Sequence, residues 1–344
     1  MAFIVDSCFG CVARCRSGTW VADPCHPEKK EIPSHDRLGQ TVRMPEYPDI
    51  ELYLIRLGER VVGQRLEKAR FYSAFVLRSV AVPPSDVEGR TVVGVFRMGK
   101  RIVLELEEER FVLIHLMIAG RLQWISPPPP EKKAMGKVLL ASFRFLSGQL
   151  NLVEMSSRKR ASIYLIRGRP GLEEHRREGL DVFTATPEQF AERIRSQNRT
   201  LKRILTDPNS FDGIGNAYSD EILFAAKLSP VRLTKSLTDA EIARLRDAAK
   251  TTFAHWAARL RELYPEFPKP GDVTAFRPDF ATHGRYGKPC PGCGAPIQHI
   301  VYAENETNYC ANCQNEGRLL ADRSLSRLLK SDWPKTLEEM EGGL

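Results

Sequence analysis

No apolar run in this 344-residue chain approaches the roughly 20 residues that a helix needs to cross a bilayer. A proper signal peptide is missing too, because Phe3-Ile4-Val5 is too short an apolar core and Asp6 interrupts it. Residues 1–43 carry no amphipathic period. No cysteine lies between Cys25 and Cys290, so the eight fall into two clusters, which in a cytosolic protein suggest metal rather than disulfides. Acidic residues are outnumbered, 43 against 51 Lys and Arg, giving a formal charge of +8 and a pI near 9.1. The leader to Arg43 holds six Lys/Arg and five Asp/Glu, so the excess belongs to the body of the protein. Such an excess suits a polyanionic partner. Hydrophobic and charged shares of 42% and 27% are those of a soluble globular protein.

Helical spacing of Ile50, Tyr53, Leu54, Leu57 and Val61 predicts a helix with Asp49 as its cap. Strand-like runs follow at Phe71–Val82, Thr91–Phe96, Arg101–Leu106, Phe111–Leu116, Leu122–Ile125, Val138–Phe145, Leu150–Met155 and Tyr164–Ile166. Ser126–Lys133 reads as an exposed Pro-rich loop and Pro170–Leu180 as a charged connector. Beyond it the pattern turns helical: Thr186–Arg195, Leu201–Leu205, a segment opened by Gly213 and closed by Pro230, and a long helix started by the capping box Thr238–Glu241. The expected architecture is therefore α+β. It comprises a leader (1–43), a β-sandwich with one leading helix (44–170), a helical domain (185–263), a cysteine module (284–316) and a tail (317–344) with a short amphipathic piece at Leu319–Leu329.

Three stretches carry chemistry. Met44-Pro45-Glu46 is, on its own, a Pro-punctuated turn into a helix. If Pro45 were the first residue, its nitrogen would be a secondary amine, and α-amino groups have pKa values of roughly 7.7–8.0. Such an amine, with Glu46 beside it, could attack a sugar C1′ and form an iminium. Cys290-Pro291-Gly292-Cys293 and Cys310-Ala311-Asn312-Cys313, sixteen residues apart, fit four thiolates around one structural zinc. Gly213-Ile214-Gly215-Asn216 precedes a helix and reads either as a plain helix start or as backbone donors for a phosphate, with the Asn216 amide adding another.

In order along the chain, Met44-Pro45-Glu46, Gly99-Lys100, His115-Leu116-Met117-Ile118-Ala119-Gly120, Gly213–Glu221 and the cysteine module resemble the formamidopyrimidine-DNA glycosylase and endonuclease VIII family. The resemblance covers Met44 to about Asn315. It implies a base-excision repair enzyme, both DNA glycosylase and abasic-site lyase, with a helix–two-turn–helix domain and a zinc finger. Pro45 would be the Schiff-base nucleophile, Glu46 the acid/base, and Lys100 a phosphate contact assisting proton transfer. Asn216 would hold phosphates, and His115 and Arg160 would contact the backbone or the gap left by the flipped base. The implied partner is damaged double-stranded DNA, met as a monomer in a bacterial cytoplasm. The leader would be absent from the native enzyme, because Pro45 is useful only if Met44 initiates and is removed.

The chain departs from the family at several matched positions. Met117 stands where the family has glycine, Ile118 at the wedge methionine, Ala161 at the wedge phenylalanine, Asn305 at the finger-tip arginine, and Asp49 at a first-helix glutamate. If residues 1–43 stayed attached, Pro45 would be an amide and the same fold could only bind damaged or abasic DNA.

Overall fold

The computed structural model describes residues 44–79, 81–130, 138–274, 277–302, 305–321 and 334–342. The leader and most of the amphipathic piece expected in the tail lie outside them.

Helix α1 (Tyr47–Val61) has Pro48 in its first turn, where a missing N–H costs nothing. Asp49 is not the cap itself. It sits at the third helical position and reaches back, its Oδ2 accepting the Glu46 N–H at 3.0 Å, so the helix starts earlier than the apolar period shows. Ile50, Tyr53, Leu57 and Val61 are fully buried in the sandwich core. At the other end Tyr47 stacks on Phe253 with ring centroids 4.7 Å apart, so α1 enters a second, helical core as well.

The strands are β1 (Lys68–Phe71), β2 (Val92–Met98), β3 (Arg101–Leu106), β4 (Arg110–His115), β5 (Gly120–Ile125), β6 (Leu139–Arg144), β7 (Gln149–Glu154) and β8 (Ser162–Arg167). They form two four-stranded sheets, ordered β1-β6-β7-β5 and β2-β3-β4-β8. Along β3, Ile102, Leu104 and Leu106 face the core between the sheets. Val103 points the other way, into a smaller cluster with Phe111, Leu113, Ile166 and Leu172. That cluster lies under α2 (Gly168–Glu173), which the connector's charge concealed. The strand expected over Phe71–Val82 ends at Phe71. The chain then turns at Ser73, whose carbonyl accepts the Val76 N–H at 3.2 Å, and Leu77 makes an isolated bridge to Ile163.

The helical part has α3 (Pro187–Arg195), α4 (Leu201–Thr206), α5 (Asn216–Ala225) and α6 (Asp239–Leu263). Thr238 caps α6, with the Thr238 N–H donating to Glu241 Oε2 at 2.9 Å. Its face of Ile242, Leu245, Ala249, Phe253, Trp256 and Leu260 is buried. Arg56 of α1 donates to the Tyr264 and Arg261 carbonyls, both at 3.0 Å. This satisfies orphan acceptors at the C-terminal end of α6 and places a cation on its negative pole. The finger follows as β9 (Gln298–Tyr302), β10 (Asn305–Tyr309) and α7 (Ala311–Asn315). The last described helix is α8 (Leu337–Gly342), whose Leu337 packs with Tyr309 and Ala311.

Candidate active site

Glu46 is buried to 2% exposure where the sandwich meets α5. Its Oε2 accepts the Gly215 N–H at 2.6 Å and the Tyr218 N–H at 3.2 Å, while Oε1 accepts the Ala217 N–H at 2.8 Å. The carboxylate thus caps α5 from a distant part of the chain, meeting the positive pole of the helix. Both glycines of the Gly-Ile-Gly-Asn run are shaped by this approach. A Cβ on Gly215 would stand 2.4 Å from Glu46 Cδ, and one on Gly213, whose φ is +80°, would stand 2.9 Å from Tyr47 Cβ. Of the backbone donors expected to hold a phosphate, the Gly215 N–H is committed to Glu46. Burial still raises the Glu46 pKa, against the opposing pull of Lys100 and the Ala217 N–H, so the group is poised to carry a proton.

Pro45, also buried, immediately precedes this carboxylate. Lys100 comes from the turn between β2 and β3, where Gly99 has a φ of +67° and a Cβ would meet Asp212 Oδ1 at 3.0 Å. Burial of the ammonium lowers its pKa, while Glu46 and Asp212 hold it up. Arg97 fixes this turn. It pairs with Asp181, with Asp212 at 3.0 Å and with Glu51 at 3.4 Å, donates to the Gly99 carbonyl at 3.1 Å, and lies over the Tyr47 ring at 4.7 Å. One guanidinium thus ties β2 to α1, to the segment before α3 and to the link between α4 and α5. The sequence reading did not single it out.

The remaining expected residues come from β4, the turn after it, the loop before β8 and α1. His115 ends β4 directly opposite Arg101. Burial, with Arg101, Arg177 and Lys100 nearby, pushes its pKa down to about 4, so it is a neutral imidazole at physiological pH. Ile118 is half-buried in the turn after β4, locked by Arg121, which donates to the Ile118, Gly120 and Val273 carbonyls at 3.1, 2.8 and 2.6 Å. Met117 in that turn has a φ of +53°, the left-handed backbone that a glycine would take without strain. Arg160 is exposed, and its backbone N–H donates to Glu154 at 2.9 Å. Ala161 cannot fill a gap in DNA: it is 3% exposed and belongs to the sandwich core. Asp49 is spent on Arg277, at 2.6 Å in a pair with both side chains buried.

Asn216 binds protein. Its amide donates to the Glu306 carbonyl on β10 at 2.9 Å, which leaves one N–H and the oxygen of the side chain for a ligand. Next to it, Asp220 and Glu221 hold the finger and its approach. Asp220 pairs with Lys202 at 2.5 Å and His283 at 2.7 Å and accepts the Asn308 N–H at 3.1 Å. Glu221 accepts the backbone N–H groups of Ala281, Thr282 and His283 at 2.7 to 2.9 Å. Two acids side by side in a helix, followed by the apolar Ile222-Leu223-Phe224-Ala225, were the available signal for this anchoring role. Asn305 opens β10 opposite Tyr302, and what was expected of its side chain lies outside the described residues.

The four expected thiols converge. Cys290, Cys293, Cys310 and Cys313 have all their sulfurs within 4.8 Å of one another, with Cys293–Cys310 at 3.4 Å and Cys290–Cys313 at 3.8 Å. Tetrahedral zinc with Zn–S bonds of about 2.3 Å sets sulfurs roughly 3.8 Å apart, so the cluster fits one zinc ion, held by these four residues.

A two-sheet sandwich led by one helix, a helical domain whose α5 is capped by a buried glutamate, and a four-cysteine finger define the class of helix–two-turn–helix DNA-repair proteins. Comparison with known proteins narrows the class to one family. The N-terminal domain of formamidopyrimidine-DNA glycosylase matches residues 44–161, its H2TH domain residues 180–258, and the zinc finger found in FPG and IleRS residues 287–315. Formamidopyrimidine-DNA glycosylase of Thermus thermophilus is 31% identical over 281 residues, 80% of this chain and 100% of that protein. The Roseiflexus protein is 32% identical over 284 residues, 79% of this chain and 100% of its own. The fold matches wild-type Lactococcus lactis Fpg solved with DNA containing N7-benzyl-Fapy-dG, with a TM-score of 0.69 at 24% identity over 79% of this chain and 100% of that one. The chain belongs to the formamidopyrimidine-DNA glycosylase family.

Proposed function

We propose that the protein, once its chain begins at Pro45, is a base-excision repair glycosylase that also cuts the strand at the abasic site, acting as a monomer on damaged duplex DNA in a bacterial cytoplasm. The observation that carries this reading is Glu46: a buried carboxyl beside Pro45, held by three backbone donors, with its pKa raised by burial. The target nucleotide leaves the stack to reach it. The Pro45 nitrogen lone pair bonds to C1′ as the bond from C1′ to the base breaks, the base leaving with that electron pair and taking up a proton. The Glu46 carboxyl gives its proton to the ring oxygen as the sugar opens to the iminium. Loss of a C2′ proton then expels the 3′ phosphate, and the Glu46 carboxylate and Lys100 are the groups placed to move protons in this step. His115, Ile118, Arg160, Asn216 and Asn305 are read as DNA contacts. The family match that begins at Met44 supports the proposed start.

Borohydride reduction on abasic-site DNA tests the reading. A covalent protein–DNA adduct is expected with the protein that begins at Pro45 and not with Glu46→Gln. Binding without any adduct would establish the alternative, a non-catalytic damage-binding protein. An active adduct-forming protein that still carries residues 1–43 would overturn the role of Pro45.

A further inference from the structure

Lys100, Arg101, His115 and Arg177 are gathered from three separate elements. Arg101 and His115 are direct cross-strand partners on β3 and β4, so their side chains share one face of the sheet. Lys100 precedes Arg101 at the turn. Arg177 arrives on the connector after α2 and lies near enough for its charge to act on all three. Among the described residues none of these side chains has a hydrogen bond or an ion pair. Their neighbours do. Arg97 holds three carboxylates, Arg169 pairs with Glu105 at 2.5 Å and Arg176 with Glu173 at 2.5 Å. The acids that act on this group are Glu46, foremost at Lys100, and Asp212, at Lys100 and Arg101. Glu46 is held by three backbone N–H groups and Asp212 is already paired with Arg97.

Three basic groups and an imidazole held together, with only Glu46 and the shared Asp212 to offset them and no direct ion pair among the described residues, repel one another, and the folded chain tolerates that only at a cost. We propose that Arg101 and Arg177 complete, with Lys100 and His115, a site for one backbone phosphate of the DNA strand, next to the reacting sugar. The two guanidinium groups supply forked donors suited to phosphate oxygens, and neutral His115 supplies an N–H. Lys100 interacts with Glu46, which puts the phosphate beside the chemistry. This inference rests on the reading of the protein as a DNA enzyme.

The test uses the protein beginning at Pro45, duplex DNA with a tetrahydrofuran abasic-site analogue, and the variants Arg101→Gln, Arg177→Gln and both together. The double variant should bind about tenfold more weakly, with its log–log salt slope shallower by about 0.9, the value of one phosphate contact. Arg101→Lys with Arg177→Lys should restore the slope. A second readout is the His115 imidazole by NMR, with inorganic phosphate as probe. The charged groups facing His115 are Arg101, Lys100 and Arg177, with Ser162 opposite on β8. Phosphate should raise the His115 pKa in the wild type and leave the double variant unmoved. A double variant with wild-type affinity and slope would overturn the site. If the wild type itself fails to bind DNA while phosphate still moves His115, the DNA reading has failed and the anion site alone survives. Equal phosphate response in the wild type and the double variant would remove the arginines from it.

Discussion

The Glu46 carboxylate on the sandwich side accepts the N–H of Gly215, the residue before α5, at 2.6 Å. The candidate acid of one domain is thereby positioned by the backbone of the other, and the spacing between the two segments is set by a missing Cβ. Gly215→Ala should push Glu46 or the start of α5 aside, because the added carbon would lie 2.4 Å from Glu46 Cδ. A displacement near 1 Å in a positioned catalytic group costs about 100-fold in rate, and overpacking costs about 1–3 kcal/mol in stability. Single-turnover cleavage of abasic-site DNA and the melting temperature measure both. The control is Gly58→Ala on α1, where no atom lies within 4 Å of the new carbon. That change should stabilise by up to about 1 kcal/mol.

Removing zinc should release the finger from α5 and leave the sandwich folded. Small metal modules draw much of their folding free energy from the ion. The finger is tied to the helical domain through Asn216 to the Glu306 carbonyl at 2.9 Å and Gln314 to the Leu228 carbonyl at 3.0 Å. Cys310→Ser should lose the metal, expose the β10 amides to hydrogen exchange and weaken DNA binding. Unchanged zinc content in that variant would refute the ligand assignment.

What was legible in the sequence is what is local in the chain. Pro45 and Glu46 are adjacent, the cysteine pairs carry their spacing with them, and the capping box Thr238–Glu241 and the buried face of α6 repeat within a few residues. What could not be read depends on partners brought together by the fold. Arg97 meets Asp181 and Asp212 at 84 and 115 residues' distance, and the donors of Gly215 and Ala217 are spent on an acid 169 and 171 residues away. The burial of Ala161 was likewise not readable, because in the loop from Glu154 to Ser162 the Arg160 and Ala161 N–H groups donate to Glu154, and there Ala161 turns into the core.

Acid should weaken the fold through His115. Its folded-state pKa of about 4 lies below the ordinary value of 6.5, so between these limits the unfolded chain binds a proton that the folded chain refuses. Stability therefore falls as the pH drops from about 6.5 to about 4, and this part of the loss is complete below both values. His115→Gln should flatten that part of the curve. Urea unfolding midpoints at intervals from pH 7 to pH 4 give the comparison, and identical curves for the two proteins would show that His115 titrates normally.

Arg97 should matter more than any other single cation for the junction of the two domains. Its side chain is 11% exposed, and the facing Glu51, Asp181 and Asp212 side chains are 28%, 28% and 23% exposed. Arg97→Met keeps much of the apolar stem but leaves three carboxylates turned toward one another in a poorly hydrated space. Removing one member of a fully buried pair costs roughly 3–5 kcal/mol. The residual exposure here lowers the expectation to about 3 kcal/mol, or a melting shift of roughly 5–10 °C. Asp212→Asn removes only one of the three acids and should cost about 1 kcal/mol. Because the two residues touch, the double variant should lose less than the sum, with a coupling of 0.5 kcal/mol or more. A structural brace would change stability alone. Arg97 also holds the Gly99 carbonyl at 3.1 Å, so loosening it should let the Lys100 turn drift. The cleavage rate at saturating enzyme should then fall even at temperatures where the variant is fully folded. Wild-type rates in a folded Arg97→Met protein would confine Arg97 to holding the domains together.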